Sequence, residues 1–477
     1  MTRERELSLE DLLAVEDDPC LLDYRCPETG ILLWPAIRCV FFRFLMEDLL
    51  YGAPLVETQN KPPLTKALWT SMKGWGHNRA FRGRGDVLLV ASGSGVRQDD
   101  GRWFNRLADP FALLFPDRSV LVEDFFDWNW PGARCNQRVL YRFPFLVKAL
   151  VRERFGGGSA RRALARDLVA LVRVRAEDLL HWRLDEDRTV FLERMLVRKL
   201  AGMSSRQTIY RELLKKLSVR LVLREEGCYG HSAPLFSAAR SLGIATAEYQ
   251  HGVVSKGHYA YMFAASLLKN VEFRWNLPEH FLGYGKWWNE QFNAPLLKHV
   301  VGNPYREFAL EDRGKSVPDS SRVLVLGDGI ETERYLALCR ELARVLGASG
   351  QVWFRPHPLE RSRVRESFPS GRSGDVFLDD HRDIYGALLA ASAVVSEVST
   401  GLFDAVGLAN KILVWDTPKA RFAYPELPFE SFTDVNELAE KIRDPNAGRV
   451  SLESVDEIWA PNWQENYSSF LEQVGCL

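Results

Sequence analysis

One pattern constrains this chain more than any other. Short continuous apolar runs end in glycine-containing turns and alternate with helical stretches, and the whole alternation occurs twice. Asp86-Val-Leu-Leu-Val-Ala-Ser92 leads into Gly93-Ser94-Gly95, and Ser119-Val-Leu-Val-Glu123 follows. Runs over 218–223 and 244–249 flank a helix predicted over 234–241. A run of about five apolar residues closed by a tight turn is what a parallel strand covered on both faces requires. The alternation restarts at Val323-Leu-Val-Leu326 and continues through 352–354, 376–378, 394–395 and 412–415, with helices predicted over 331–346, 383–391 and 400–408. Between the halves, residues 303–321 are polar, contain Pro304 and Pro318 and lack periodicity, which is a linker composition. The expected fold is therefore α/β, with two doubly wound Rossmann-like domains facing one another across a cleft.

The expected domains are an N-terminal extension over 1–80, a first α/β domain over 81–305 with a helical insertion near 143–217, a second over 306–455, and a C-terminal helix over 456–477. Within the extension, Ile31-Leu-Leu-Trp34 runs into Pro35, which suits the first position of a helix. That helix is expected to reach about Leu45 and to dock against a neighbouring domain.

Composition narrows the function classes. The 477 residues carry 62 Lys+Arg and 63 Asp+Glu, a net charge of −1, with 46% hydrophobic and 26% charged residues. This is an ordinary globular balance, which excludes a disordered or fibrous chain and argues against bulk neutralisation of nucleic-acid phosphates. The seven cysteines are scattered and form no C-x2-4-C knuckle, so neither a disulfide framework nor a zinc site is expected. The first twenty residues are charged rather than apolar, and 39–46 is interrupted by Arg43. A cytoplasmic protein is the expectation. From Arg138 to Arg183 eleven Lys/Arg face four Asp/Glu, about +7, which is either a solvated helix face or a peripheral contact with the inner membrane.

The candidate chemistry sits at strand ends, where open α/β sheets bind ligands. Arg355-Pro-His357-Pro358 follows a strand and places a permanent cation and an imidazole on a stiff turn, a combination suited to phosphate. Ser399 and Thr400 open a helix, where hydroxyl and N–H groups serve an anion or simply cap; Asp404 follows, placed to accept from ribose hydroxyls. Gly327-Asp-Gly329 is a permissive loop. In the first half, Glu225 and Glu226 end one strand, and only one is expected to face the cleft, since neighbours on an extended chain point opposite ways. His251-Gly252 ends the next, followed by His258 and Tyr261. Asp185-Glu-Asp187 and Asp379-Asp380-His381 are set aside, the latter as a possible cap for helix 383–391. No phosphate loop of the G-x-x-x-x-G-K-[ST] type and no G-x-S-x-G elbow occur.

Taken in order, Tyr249-Gln-His-Gly252 with His258 and Tyr261, Val300-Val-Gly-Asn-Pro304, Arg355-Pro-His-Pro358 and Ser396-Glu-Val-Ser-Thr400 resemble the GT-B glycosyltransferases that build bacterial capsules and surface polysaccharides. That group includes sialyl-, polysialyl- and Kdo transferases and the CDP-glycerol polymerases of teichoic acid synthesis. The resemblance covers about residues 220–420. It implies donor nucleotide and phosphate binding by Arg355, His357, Ser399 and Thr400, to which the strand-end reading adds Pro358, Gly329 and Asp404. It implies a general base at Glu226 or Glu225, or at His251 if the polymerase branch is followed; Gly252, His258, Gly93 and Ser94 are the expected acceptor side. The co-substrates implied are a nucleotide sugar, with a CMP-sugar favoured, and a polysaccharide or glycolipid acceptor. No cofactor and no metal are called for, because Arg355, His357 and helix N-termini supply positive charge. The alternatives are polyol-phosphate transfer from a CDP-activated donor, a nucleotide-sugar epimerase, and a non-catalytic nucleotide-sugar-binding subunit.

Overall fold

A computed structural model describes residues 6–54, 63–99, 101–311, 313, 319–358 and 360–477. The first half holds β1 (Val87–Ala91), a hairpin of β2 (Val96–Asp99) and β3 (Arg102–Asn105), then β4 (Ser119–Glu123), β5 (Val139–Tyr141), β6 (Leu221–Arg224), β7 (Ala245–Tyr249), β8 (His280–Gly283) and β9 (Leu297–Val300). Apart from the hairpin these strands form one parallel sheet in the order β5-β4-β1-β6-β7-β8-β9. The second half adds β10 (Asp319–Leu326), β11 (Gln351–Arg355), β12 (Arg372–Ser373), β13 (Val376–Leu378), β14 (Ala391–Ser396), β15 (Lys411–Trp415) and β16 (Glu430–Phe432). They form a second sheet, β12-β13-β11-β10-β14-β15-β16, parallel except for β12. Two doubly wound α/β sheets are thus present, as the alternation predicts.

The strand orders matter because each sheet reverses direction once. Chain order runs outward from β1 through β4 to β5, then returns to β6 on the other side of β1. It runs from β10 through β11 to β13, then returns to β14 beside β10. Ligands of open α/β sheets bind at these reversal points, beyond the strand C-termini, because the flanking loops diverge and leave a crevice.

The N-terminal helix spans Trp34–Met46 with Pro35 at its start, and nearly all of it is buried. It is a strut rather than an appendage. The buried Arg38 guanidinium donates to both oxygens of the buried Glu16 carboxylate and to the carbonyls of Tyr259 and Met262. Glu16 also accepts from Trp34 Nε1 at 2.9 Å and from Ala264 N at 3.0 Å. The segment carrying His251 and His258 is therefore tied to the extension. A single apolar cluster runs from this extension through helices 159–180 and 186–217 into residues 385–429 of the second half.

Three expectations need correction. The stretch 303–321 is not wholly irregular: Pro304 starts a helix over Pro304–Glu311, and β10 begins at Asp319. Pro at the first turn loses no helical hydrogen bond, so the proline read as a linker mark is here a helix start. Residues 312 and 314–318 of that stretch lie outside the described residues. Helix 400–408 shortens to Thr400–Asp404. Asp379 does not cap helix 384–390; Asp383 does, accepting from Gly386 N at 3.0 Å. The C-terminal helix Trp463–Gln473 returns to the first half, placing Trp463, Tyr467, Phe470 and Leu471 in the core beneath β1 and β6.

Candidate functional site

Both reversal points carry residues that the sequence singles out. At the first, β6 pairs with β1 and Glu225 N donates to Val90 O. The Glu225 side chain then folds back to the loop after β1. Ser92 donates its backbone N–H at 2.7 Å and its hydroxyl at 2.9 Å, so the two oxygens of a buried carboxylate are both satisfied. Ser92 Oγ also lies 2.6 Å from Ser94 Oγ, and Gly93 packs so closely on Asp124 O and Phe125 that a Cβ would meet them at 2.9–3.0 Å. Gly93 and Ser94 thus shape the crevice wall.

Glu226 is placed differently. It takes a left-handed backbone, φ 57°, uncommon for a residue with a Cβ and a recurrent mark of functional loops. Its carboxyl is half-buried, 3.9 Å from His231 Nε2, and burial followed by the neighbouring Glu225 charge raises its pKa. His231 is held neutral by burial and by Arg224, whose Nη2 lies 2.8 Å away.

The imidazoles gather around Tyr229, whose ring lies 5.7 Å from His251, 5.9 Å from His258 and 6.0 Å from Tyr261. Burial lowers the His251 pKa to about 4 and the His258 pKa to about 3, so both are neutral at pH 7. His258 Nε2 lies 3.3 Å from the Tyr229 hydroxyl, and its Nδ1 is buried with no partner. His251 Nδ1 is likewise buried and unpartnered among the described residues. Gly252 has open space where a Cβ would stand, and its carbonyl accepts from Gln250 Nε2 at 2.8 Å. Below this group Glu248 is wholly buried, accepting from Cys228 N at 2.9 Å and from the Tyr261 hydroxyl at 2.6 Å; burial raises its pKa to about 7.

At the second reversal point the loop Gly327-Asp-Gly329 leaves β10 and Ser396–Thr400 leaves β14. Gly329 has φ +81°, and a Cβ there would meet the His357 ring at 2.8 Å, so glycine lets the imidazole close over the loop. His357 N donates to Glu360 Oε1 at 2.9 Å, and burial lowers the ring pKa. Pro358 sits in the turn that follows. Ser399 accepts from Gly401 N at 3.1 Å as the N-cap of its short helix, which is the plain capping role, and Thr400 is exposed beside it. Arg355 is committed elsewhere: it donates to Asp379 and, at 3.1 Å, to His381 O. Asp379 is the hub of a buried network that also takes Arg322 and His381, each at 2.6 Å.

The halves meet at Asp404. Its carboxyl accepts from the Tyr385 hydroxyl at 3.2 Å, and burial raises its pKa to about 6 against the pull of Arg306 and Arg106. Arg106 comes from the first half, on the loop after β3. The sequence reading missed it, although it lies on the same β1 exit as Gly93 and Ser94. Its guanidinium has no hydrogen bond or ion pair among the described residues and stands 5.8 Å from the Tyr305 ring. Its charge bears on the ionisation of His251, Tyr284, Tyr305 and, in the second half, Asp404.

One carboxylate group among the described residues could crowd a cation: Asp328, Glu331 and Glu397. The chain's own Lys419 occupies it, with Nζ against Glu331, 3.7 Å from Glu397 and 3.9 Å from Asp328, and Arg334 lies 3.0 Å from Glu331 and 3.3 Å from Glu397. The three carboxylates already share two of the chain's own cations, so the donor set does not fit a resident metal. The Arg-rich stretch 138–183 is also partly spent internally, through Arg142–Asp124, Arg161–Glu28 and Arg175–Asp18. No helix among the described residues is long and apolar enough to cross a membrane.

No family model and no curated protein matches the sequence. Solved structures do align. A putative UDP-N-acetylglucosamine 2-epimerase from Listeria monocytogenes matches with a TM-score of 0.43 at 12% identity, over 81% of this chain and 95% of that one. The S. aureus MnaA–UDP complex matches at 0.44 and 10%, over 82% and 98%. The wall teichoic acid polymerase TagF, in a crystal soaked with CDPG, matches at 0.40 and 10%, over 86% and 88%. Likeness at this level is one of outline, and the chemistry of the cleft rests on the chain's own residues.

Proposed function

We propose that the protein is a glycosyltransferase that moves a sugar from a nucleotide-activated donor to an acceptor hydroxyl in the cleft between the sheets. The observation that carries this reading is Arg106: a half-buried cation whose guanidinium has no hydrogen bond or ion pair among the described residues and whose charge reaches Asp404 of the other half. Leaving a guanidinium half-buried and unpaired costs stability, and an anionic ligand that closes the cleft removes the cost. A nucleotide phosphate supplies that anion, and His357 with the Gly327–Gly329 loop at the second reversal point supplies its further contacts.

In this reading the acceptor oxygen forms a bond to the anomeric carbon as the bond from that carbon to the nucleotide phosphate oxygen breaks. The phosphate leaves with the bonding electrons, and Glu226 takes the acceptor proton. A raised carboxyl pKa suits that role, since it makes the carboxylate a stronger base near neutral pH. Arg106 and His357 hold the departing phosphate. A CMP-sugar donor and a polysaccharide or glycolipid acceptor are the favoured partners, on the motif resemblance alone.

His251 supports a second reading. Its buried, neutral, unpartnered imidazole before Gly252 matches the His-Gly mark of the CDP-polyol polymerases, where it would serve as the base in polyol-phosphate transfer. A panel of CMP-, CDP-, UDP- and GDP-activated donors, read by nucleotide release with and without acceptor glycans, separates the two. Release from a nucleotide sugar that depends on acceptor supports sugar transfer, and release only from a CDP-polyol replaces it with the second reading. Epimerised donor without acceptor, or nucleotide binding by calorimetry without release, overturns both.

A further inference from the structure

The helix Leu64–Ala80 is built inside out. The face turned to the protein carries Thr70, Gly74 and Asn78, at i, i+4 and i+8. It docks by polar contacts: the Thr70 hydroxyl donates to Trp128 O at 2.8 Å, and Asn78 bonds both the N–H and the carbonyl of Tyr141 at 2.9 and 2.8 Å. Gly74 lets Phe125 approach so closely that a Cβ would stand 2.6 Å from its ring. The face turned to solvent carries Leu64, Leu68, Met72 and Trp75, with Trp69 beside them. Leu68 is 64% exposed, Trp69 53%, Met72 72% and Trp75 57%. Single exposed apolar residues are ordinary; five on one face of one helix are not.

The charges on this helix point to what covers it. Its 17 residues contain Lys66, Lys73 and Arg79 and no carboxylate. Lys73 Nζ stands 3.7 Å from the Trp69 ring, and the Arg79 guanidinium 5.3 Å from that of Trp75. One acidic side chain reaches it from outside, the exposed Asp127, 3.7 Å from Lys66. The adjoining helix Arg142–Phe155 exposes a parallel row, Val147, Val151 and Phe155, with Lys148 and Arg154 among them. Between these helices and helix 186–217 lies a hollow of about 370 Å³ bordered by Trp75, Arg79, Phe145, Ile209, Glu212 and Lys216. Tryptophans with an apolar face, flanked by cations whose stems lie along them, are the side chains that settle at the boundary of acyl chains and anionic headgroups. A second copy of the chain is a poor occupant, because a two-fold contact that packs this helix on itself brings together two cationic faces with no carboxylate on either helix.

We infer that helix 64–80, continued by helix 142–155, seats the protein on an anionic phospholipid surface. None of its residues belongs to the cleft, so this inference stands or falls apart from the sugar-transfer reading.

The test is co-sedimentation of the full chain with vesicles of phosphatidylcholine alone and of phosphatidylcholine containing phosphatidylglycerol. Light scattering of the protein without vesicles and thermal melts of each variant accompany it. Wild type is expected to bind the anionic vesicles at least about tenfold more tightly, with salt weakening the binding. Trp69→Ser with Met72→Ser is expected to abolish binding to both vesicles at unchanged melting temperature, and Lys73→Ser with Arg79→Ser to remove the preference for phosphatidylglycerol. Equal sedimentation with both vesicles, or binding unaltered in folded variants, overturns the inference. So does a dimer that the Trp69→Ser/Met72→Ser pair converts to monomer, which would make a second copy the occupant.

Discussion

Ser92 and Glu225, 133 positions apart in the chain, are joined by two hydrogen bonds across the reversal point of the first sheet. The pair distinguishes two adjacent carboxylates. Glu225 is spent on fastening the β1 exit to the β6 exit, whereas Glu226 is half-buried beside His231 with a raised pKa and a left-handed backbone.

The two substitutions should therefore separate. Glu226→Gln is expected to lower kcat by about a hundredfold or more with nucleotide affinity nearly unchanged, since a base acts mainly in the transition state. Glu225→Gln is expected to cost about 1–3 kcal/mol of stability by unmaking a buried charged hydrogen-bond pair. Calorimetry, turnover and thermal melts together check the pattern. The acid limb of kcat/KM should lie above the ordinary glutamate range, because the base must be ionised and its folded pKa is raised; the limb should vanish in Glu226→Gln.

Arg106 should behave as a ligand-binding residue and not as a structural one. With no hydrogen bond or ion pair to break among the described residues, Arg106→Ala is expected to shift the melting temperature only slightly, through its lost pull on Asp404, while weakening nucleotide binding by about ten- to a hundredfold, the range of a charge-assisted contact. Arg106→Lys should restore part of the affinity. Binding isotherms across the three proteins decide it, and unchanged affinity in Arg106→Ala would remove the observation on which the functional reading stands.

The extension and the second half are pressed onto the loops after β6 and β7 at two glycines. Gly230 has φ +80°, and a Cβ there would lie 1.8 Å from Pro35 O; at Gly257 it would lie 1.9 Å from Phe422 O. Neither backbone can accept a methyl group without moving. Gly230→Ala and Gly257→Ala are each expected to lower the melting temperature. Gly257→Ala should also change small-angle scattering, since it wedges the two halves apart.

Glu248 gives a pH signature in stability. Its folded pKa is raised from 4.5 to about 7, so between those values the native state holds more protons than the unfolded chain. Stability contributed at this site is therefore intact below pH 4.5 and lost as pH rises through 7, by a few kcal/mol. Denaturant melts of wild type and Glu248→Gln should show a falling difference over that interval and a flat one above it.

His357 tests the donor wall. His357→Ala is expected to abolish transfer while the fold remains intact, because the ring lies over the Gly329 loop and leaves the core undisturbed. A fully active variant would sink the assignment.

Much of the architecture was legible because parallel strands covered on both faces must be written as continuous apolar runs, and those runs are local. Leu88, Leu89 and Val90 announce β1, and Val323 to Leu326 announce β10, without reference to anything distant. Pro35, Gly243 and Pro304 mark helix and turn boundaries through their own backbone limits, though Pro304 reads equally well as linker until the helix is seen. The strand-end motifs were legible for the same reason: Glu225, His251, His357 and Ser399 all follow recognisable runs.

What the side chains do at those ends was not legible, because partners are set by strand order, which no local pattern states. Arg355 looked like a phosphate cation until β11 and β13 brought it to Asp379. Arg106 carried no motif and gained its meaning from lying opposite Asp404, nearly 300 positions away. Local patterns specify two doubly wound sheets and the loops at their edges. Which charges are spent on the fold and which remain for a ligand emerges when the strands are assembled, because a charge is free or paired according to its neighbours in space.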